Sequence, residues 1–207
     1  MSPLKIILAS ASPRRQQLLE QLGVSFAVES QDIDETIASE ESPIDYVQRM
    51  ANGKAESALQ KHAVSSQTLI LAADTIVVCD KEVMGKPSDQ KAAIEMLLTL
   101  SGREHHVLSA VTVATLSEKH FIISDSTVRF RTISPEEAKL YWLTGEPVGK
   151  AGGYGIQGRA AVFISHLEGS YSGVMGLPLF ETAQLLERFG LGGLHQTAAK
   201  SEGVLNE

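Results

Sequence analysis

Leu4-Lys5-Ile6-Ile7-Leu8-Ala9-Ser10-Ala11-Ser12-Pro13-Arg14-Arg15-Gln16-Gln17-Leu18-Leu19-Glu20-Gln21-Leu22-Gly23 joins an apolar run to a capped helical one. Residues 4–9 read as a buried strand, because the run is almost continuously apolar. Ser12 suits a helix N-cap, since its hydroxyl can accept from a first-turn N–H. Pro13 suits the first helical position, and Gly23 suits the stop. Leu18, Leu19 and Leu22 supply the apolar stripe. Arg14 and Arg15 then fall in the first turn, at the positive end of the helix dipole, where cations are disfavoured by roughly 0.3–1 kcal/mol each. Two guanidinium forks beside free first-turn amides outline a phosphate site. A solvated basic turn on an ordinary strand-helix unit is the alternative.

The same punctuation recurs along the chain. Ser42-Pro43 and Ser134-Pro135 each pair an N-cap with a first-turn proline, and Ser88-Asp89 is a further cap. The helix from Ser42 carries Val47, Met50, Ala51, Ala55 and Ala58 at helical spacing. The helix from Ser88 carries Ala93, Met96, Leu97 and Leu100 and stops at Gly102. Two more helices are predicted, from Ser134 to Gly145 and from Leu179 to Phe189. Residues 68–73 read as a strand covered on both faces. Residues 105–116 and 120–133 read as an antiparallel hairpin turning at Ser117-Glu118-Lys119, and residues 161–167 as another strand. The prediction is α/β, with a mixed twisted sheet and flanking helices, in one domain over residues 1–190. Residues 191–207 are small and polar and read as a flexible tail.

Composition narrows the function. With 207 residues, 43% of them hydrophobic, the chain can bury a substantial core. It has no apolar run of the length, about 18 residues, that spans a membrane. The N-terminal apolar stretch is too short for a secretory signal. A single cysteine, Cys79, excludes a disulfide framework and any multi-cysteine zinc site, so a cytoplasmic location is the default. A net charge of −7 argues against nucleic acid or an anionic membrane surface as the partner. A small anionic substrate stays compatible with it, because a local basic pocket or a bound cation outweighs the global charge.

Three further blocks carry chemistry. In Ala72-Ala73-Asp74-Thr75-Ile76-Val77-Val78 an acidic residue ends a buried strand and the chain then resumes as an apolar strand, and carboxylates at strand ends often reach a ligand crevice. With no basic neighbour in sequence, Asp74 reads as catalytic or metal-binding. Gln31-Asp32-Ile33-Asp34-Glu35 offers hard oxygen donors suited to Mg²⁺ or Mn²⁺. In Gly149-Lys150-Ala151-Gly152-Gly153-Tyr154-Gly155-Ile156-Gln157-Gly158-Arg159 the glycines permit close approach to a ligand, and the Gln157 amide can read a base edge. Its Gly spacing matches a dinucleotide fingerprint, but the strand and helix context is wrong. Gly85-Lys86-Pro87 projects a lysine from a stiff turn. Other features read as structural: Cys79 as a small core residue, and His105 and His106 as opposite faces of one strand. Ser170 does not form a nucleophile elbow.

Taken in order, these blocks resemble the Maf family of nucleotide pyrophosphatases. The matching stretches are residues 8–15, Asp34-Glu35, Arg49 to Ala55, Ala73-Asp74-Thr75, Gly85-Lys86-Pro87, Ser101-Gly102, Gly145-Glu146-Pro147, Lys150 through Gly158, and residues 174–179. Gly53 departs from the pattern and interrupts the helix bearing Lys54 at a cost of roughly 1 kcal/mol. The resemblance implies an elongated two-lobed fold similar to inosine triphosphatase, with a central cleft. It implies hydrolysis of a nucleoside triphosphate to the monophosphate and pyrophosphate, a divalent cation (Mg²⁺ or Mn²⁺) and a homodimer. Arg14 beside Arg15, Thr75 after Asp74, and Tyr154 to Gly158 look like the branch acting on dTTP and UTP. On this reading Asp74 is the catalytic base, and Glu35 with Asp74 holds the metal. Ser10, Arg15, Lys54 and Lys86 bind the phosphates, and Arg14, Thr75 and Gln157 read the base. Two alternatives are the same chemistry with 7-methyl-GTP preference and a non-catalytic nucleotide-binding regulator of cell division.

Overall fold

The computed structural model describes residues 4–62 and 67–191. The expected tail, Leu191 aside, lies outside the described residues. Strand β1 (Lys5–Leu8) leads into α1 (Pro13–Glu20), whose N-cap is Ser12 with Pro13 in the first turn. After β2 (Phe26–Val28) comes α2 (Pro43–Lys61), capped by Ser42. Two strands, β3 (Thr68–Cys79) and β4 (Glu82–Met84), precede α3 (Gln90–Leu100). Of the two candidate caps, Asp89 rather than Ser88 accepts the first-turn amide. The hairpin β5 (Glu104–Ala114) and β6 (Lys119–Phe130) is followed by α4 (Pro135–Trp142), whose Ser134 and Glu137 form a reciprocal capping box. The chain closes with β7 (Ile164–Glu168), α5 (Tyr171–Met175) and α6 (Leu179–Glu187).

The seven strands form one mixed sheet in the order β2-β1-β3-β5-β6-β7, with β4 also on β3. β1 is parallel to β2 and β3, and the other pairings are antiparallel. The strand read from residues 68–73 and the apolar strand read as resuming after Thr75 are one strand. β3 runs unbroken through Asp74 to Cys79, so Asp74 sits mid-strand opposite Ala110. β5 covers one edge of β3 from Ile70 to Val78. On the other edge β1 pairs with residues 68–71 and β4 with residues 77–79, leaving Ala72 to Ile76 without a partner strand among the described residues. The strand expected from residue 161 starts three residues later. Arg159–Phe163 instead makes a 3-10 helix, which buries Ala160 and Phe163 on one side.

Period-two alternation sends odd residues of β3 to one face and even residues to the other. On the odd face Leu69, Leu71 and Ala73 pack with Leu18, Leu19 and Leu185, while Val77 and Cys79 pack with Leu97, Leu100 and Tyr141. The polar pair Thr75 and Ser109, opposite each other across β3 and β5, falls between these two cores. On the even face α2 lies against β3 and β5. Ala55 and Ala58 meet Ile70 and Ala72, and Val47, Met50 and Ala51 meet Ile76 and Val78. Asp74 falls between those two groups. Both faces therefore turn polar at one level of β3, where its outer edge is also open.

Candidate active site

That level opens into a cleft of about 380 Å³. Its walls include Ser10 to Arg15 from the β1–α1 turn, Glu35, Lys54 on α2, and Asp74 and Thr75 on β3. Lys86 and residues of the segment from Gly149 to Gln157 also line it. Every residue nominated from the sequence, namely Ser10, Arg14, Arg15, Glu35, Lys54, Asp74, Thr75, Lys86 and Gln157, lines this one space.

The charges are arranged differently from a simple basic pocket. Lys54, expected on phosphates, donates to Asp74 Oδ1 at 2.7 Å and forms an ion pair with Glu35 Oε1 at 2.8 Å. The two carboxylates thus converge on one cationic position. Asp74 does have a basic partner, supplied from twenty residues upstream on another element. Asp74 Oδ2 has no protein hydrogen bond among the described residues. The hydrogen bond from Lys54 holds the Glu35 carboxyl below its usual range, against a smaller opposing effect of burial. Lys86 reaches Glu35 Oε2 at 3.7 Å from an exposed position.

The two arginines are anchored by their side chains. Arg15 donates through Nε to the Gly176 carbonyl at 2.8 Å, through Nη1 to Ser10 Oγ at 3.2 Å and through Nη2 to Thr75 Oγ1 at 3.4 Å. Burial lowers its pKa, and the Asp74 charge opposes that. Arg14 Nε donates to the Met175 carbonyl at 3.3 Å. These carbonyls belong to the end of α5 and to Gly176. The sequence reading had no helix there, although Ser170 as N-cap and Gly176 as stop signalled one. The Thr75 hydroxyl also lies 2.8 Å from Ser109 Oγ, which itself donates to the Gly173 carbonyl at 2.7 Å. Thr75 therefore supports Arg15 as well as lining the cleft.

The glycine-rich segment packs where side chains would not fit. Gly152 has φ +64°, and a Cβ there would lie 2.9 Å from Val77 Cγ2. Its N–H donates to the Gly85 carbonyl at 3.0 Å, tying this segment to the turn bearing Lys86. A Cβ at Gly158 would lie 2.2 Å from Glu146 Oε2. That carboxylate accepts from the Arg159 N–H and the Tyr141 hydroxyl, and the same hydroxyl accepts from the Gly155 N–H. Tyr154 is buried, with its hydroxyl 2.8 Å from His105 Nε2. Glu146, Tyr141 and His105 were not singled out from sequence as site supports, because only tertiary packing brings them beneath the segment. Lys150 lines the cleft and was likewise given no role. His105 is buried and His106 exposed, as strand alternation requires.

Among the described residues no group of three or more His, Cys, Asp or Glu side chains could by itself hold a metal ion. No helix among them is long and apolar enough to cross a membrane.

A profile of the Maf-like protein family matches residues 5–189, and the chain belongs to that family. Its relatives include a dTTP/UTP pyrophosphatase of Acinetobacter baylyi, 48% identical over 87% of this chain and 97% of its own. The dTTP/UTP pyrophosphatase of Saccharophagus degradans is 50% identical over 89% of this chain and 88% of its own. That of Alkalilimnicola ehrlichii is 49% identical over 89% and 92%. Among solved structures, the nucleoside-triphosphatase / dITP/XTP pyrophosphatase of Mycobacterium abscessus overlaps 61% of this chain and 74% of its own, with a TM-score of 0.43 at 18% identity.

Proposed function

We propose that the protein is a nucleoside triphosphate pyrophosphatase that hydrolyses dTTP and UTP to the monophosphate and pyrophosphate. The carrying observation is the Asp74 carboxylate, with Oδ1 fixed by Lys54 and Oδ2 left without a protein partner inside the cleft. A carboxylate held by one oxygen and open at the other can orient a water and take its proton. Attack of that water on the α-phosphorus expels pyrophosphate. The three or four charges of the triphosphate meet Arg15, Lys86 and the amides after Ser10. Arg15 is pre-positioned by Ser10, Thr75 and Gly176, so little reorganisation accompanies binding. Arg14, Thr75 and Gln157 face the base.

A divalent cation fits the carboxylate pair. Glu35 Oε1 and Asp74 Oδ1 already converge on a single ammonium, and two carboxylates plus phosphate oxygens are an ordinary donor set for Mg²⁺ or Mn²⁺. Bound there, the cation would neutralise charge on the phosphates and lower the pKa of a nearby water. With the pair so occupied, the Lys54 ammonium would be available to the phosphates.

Dividing residues 1–190 into two lobes of one domain, a homodimeric assembly and a cytoplasmic location belong to the same reading. The first follows the two cores on either side of Thr75 and Ser109. The test is pyrophosphate release from a panel of nucleoside triphosphates with Mg²⁺ and with Mn²⁺. UTP and dTTP are expected to turn over at comparable rates, because one methyl group discriminates by only about 1–3 kcal/mol. No pyrophosphate from any triphosphate would leave a binding protein. Faster turnover of 7-methyl-GTP would reassign the base.

A further inference from the structure

Gln157 lines the cleft, and its side-chain amide has no protein hydrogen bond among the described residues. Both kinds of polar atom on it are left for a ligand. With no bond of its own, the amide takes its direction from the backbone that carries it. That backbone is a tight turn, closed by the Gly158 N–H on the Gly155 carbonyl at 3.0 Å. One hydrogen-bonded pair from outside holds both ends of the turn. The Tyr141 hydroxyl accepts from the Gly155 N–H at 3.2 Å and donates to Glu146 Oε2 at 3.1 Å. Both Glu146 oxygens accept from the Arg159 N–H at 2.9 Å. Between these ends Ile156 is buried and Gln157 is exposed.

The turn and the carboxylate are fitted to each other. A Cβ at Gly158 would lie 2.2 Å from Glu146 Oε2 and 2.7 Å from its Cδ. Gly158 has φ −105°, an extended conformation open to any residue. The glycine is therefore required by the carboxylate pressed against it and not by the bend. The holding pair is itself fixed. Tyr141 is buried on α4. The Glu146 N–H donates to Thr144 Oγ1 at 3.1 Å, and that hydroxyl donates to the Tyr141 carbonyl at 2.7 Å. Neither Glu146 nor Tyr141 is among the residues that line the cleft.

Resting on the dTTP/UTP reading above, we propose that Glu146 is a positioning residue for base recognition: with Tyr141 it fixes the turn that aims Gln157 at the pyrimidine. It touches no part of the nucleotide itself. A side chain that contacts substrate is only as well placed as the groups that lock its backbone. Without the carboxylate the Arg159 N–H and the Tyr141 hydroxyl lose their shared partner, and the turn must be ordered when the nucleotide binds. That cost falls on KM rather than on the chemical step at Asp74. The phosphates, held by Arg15, Lys86 and the amides after Ser10, are not affected.

The experiment measures kcat and KM for UTP and dTTP in the unmodified protein, Glu146→Ala, Gln157→Ala and the double variant, with inhibition by pyrophosphate as the probe of the phosphate end. Each single variant is expected to lose about 3–10-fold in kcat/KM, the net worth of one uncharged hydrogen bond, mainly through KM. Pyrophosphate inhibition is expected to stay unchanged. The double variant is expected to lose no more than the larger single one, because the two residues act as a unit. Losses that multiply would mean that Glu146 works by another route and would overturn the proposal. Weakened pyrophosphate inhibition would mark a general loosening of the cleft and overturn it as well. If Glu146→Ala does not fold, Gly158→Ala tests the same contact from the other side, since its Cβ displaces the carboxylate. The same loss through KM is expected there, and an unchanged KM would refute the positioning role. A Gln157→Ala variant with no loss would remove the base reader and the proposal with it. An unmodified protein that hydrolyses neither UTP nor dTTP would instead refute the function on which the proposal rests.

Discussion

Replacing Lys54 by methionine keeps most of the side-chain volume and removes the ammonium that Asp74 meets at 2.7 Å and Glu35 at 2.8 Å. The lysine side chain is 11% exposed and that of Asp74 14%, so this pair is largely out of water, whereas Glu35 at 46% is not. Breaking a buried pair costs about 3–5 kcal/mol because a charge is left uncompensated, while an exposed pair is worth about 0–1 kcal/mol. Asp74 faces a water-accessible cleft rather than a sealed core, so the expected loss is about 2–4 kcal/mol. For a chain of this length that is a fall in Tm of roughly 5–15 °C. At the proposed metal position, a divalent cation would supply the missing charge without competition from the ammonium. Mg²⁺ or Mn²⁺ should therefore raise the Tm of Lys54→Met more than that of the unmodified protein. Thermal melts with and without each metal read both effects. A variant within about 0.5 kcal/mol of the unmodified protein would refute the electrostatic account of this cluster. An equal metal shift in both proteins would refute a shared position for ammonium and cation.

Asp74→Asn keeps the shape of the side chain but removes the base, and turnover of UTP is expected to fall by about 10²–10⁴-fold; near-normal turnover in a folded variant would end that assignment. Hydrolysis in heavy-oxygen water should label the monophosphate, and label in pyrophosphate would move the attack away from the α-phosphorus. Burial pushes the His105 pKa down to about 4. The unfolded chain, with a histidine pKa of about 6.5, binds its proton first on acidification, so the stability His105 contributes is complete above about pH 6.5 and lost as the pH falls toward 4. The loss amounts to about 3 kcal/mol. His105→Phe, placed between Phe130 and Tyr154, should flatten urea-unfolding stability across that window, and an unchanged slope would show that other groups carry it.

How much of this was legible in the sequence depended on how local the determinants were. β1 and α1 were readable because Ser12 accepts from the Arg15 N–H within one turn and Leu18 and Leu19 are buried on the same helix. The β5–β6 hairpin was readable from two long β-rich stretches about a short polar turn. β2 and β4, three residues each, and α5, five residues, are too short for a period to show. β3 was cut at Asp74 because a carboxylate in a strand interior is costly when unpaired. What makes it tolerable is Lys54, which reaches it from α2 and is invisible to a local reading. The site residues were legible as a set, since each stands within a distinctive block. Their contacts were not. Nothing near Arg14 or Arg15 in sequence points to the Met175 and Gly176 carbonyls 161 positions away.

The site and the fold share one structural cause. β3 and β5 are long enough to serve two hydrophobic cores, and the sequence interrupts both faces of the sheet at a single level. On one face the interruption is Thr75 with Ser109, and on the other it is Asp74 with Lys54. The same level is where β1 has ended and β4 has not begun, so the strand edge is open to a ligand. Polar groups placed at Leu71 or Val77 would sit inside the apolar cores and face desolvation without a partner. Confined to the gap, they are partnered by α2 on one side and by the end of α5 on the other. A substitution that extended the apolar run through residues 74 and 75 would remove the carboxylate proposed as the catalytic base and release Arg15 from Thr75. It would also fuse the two cores over the strand edge that the cleft requires.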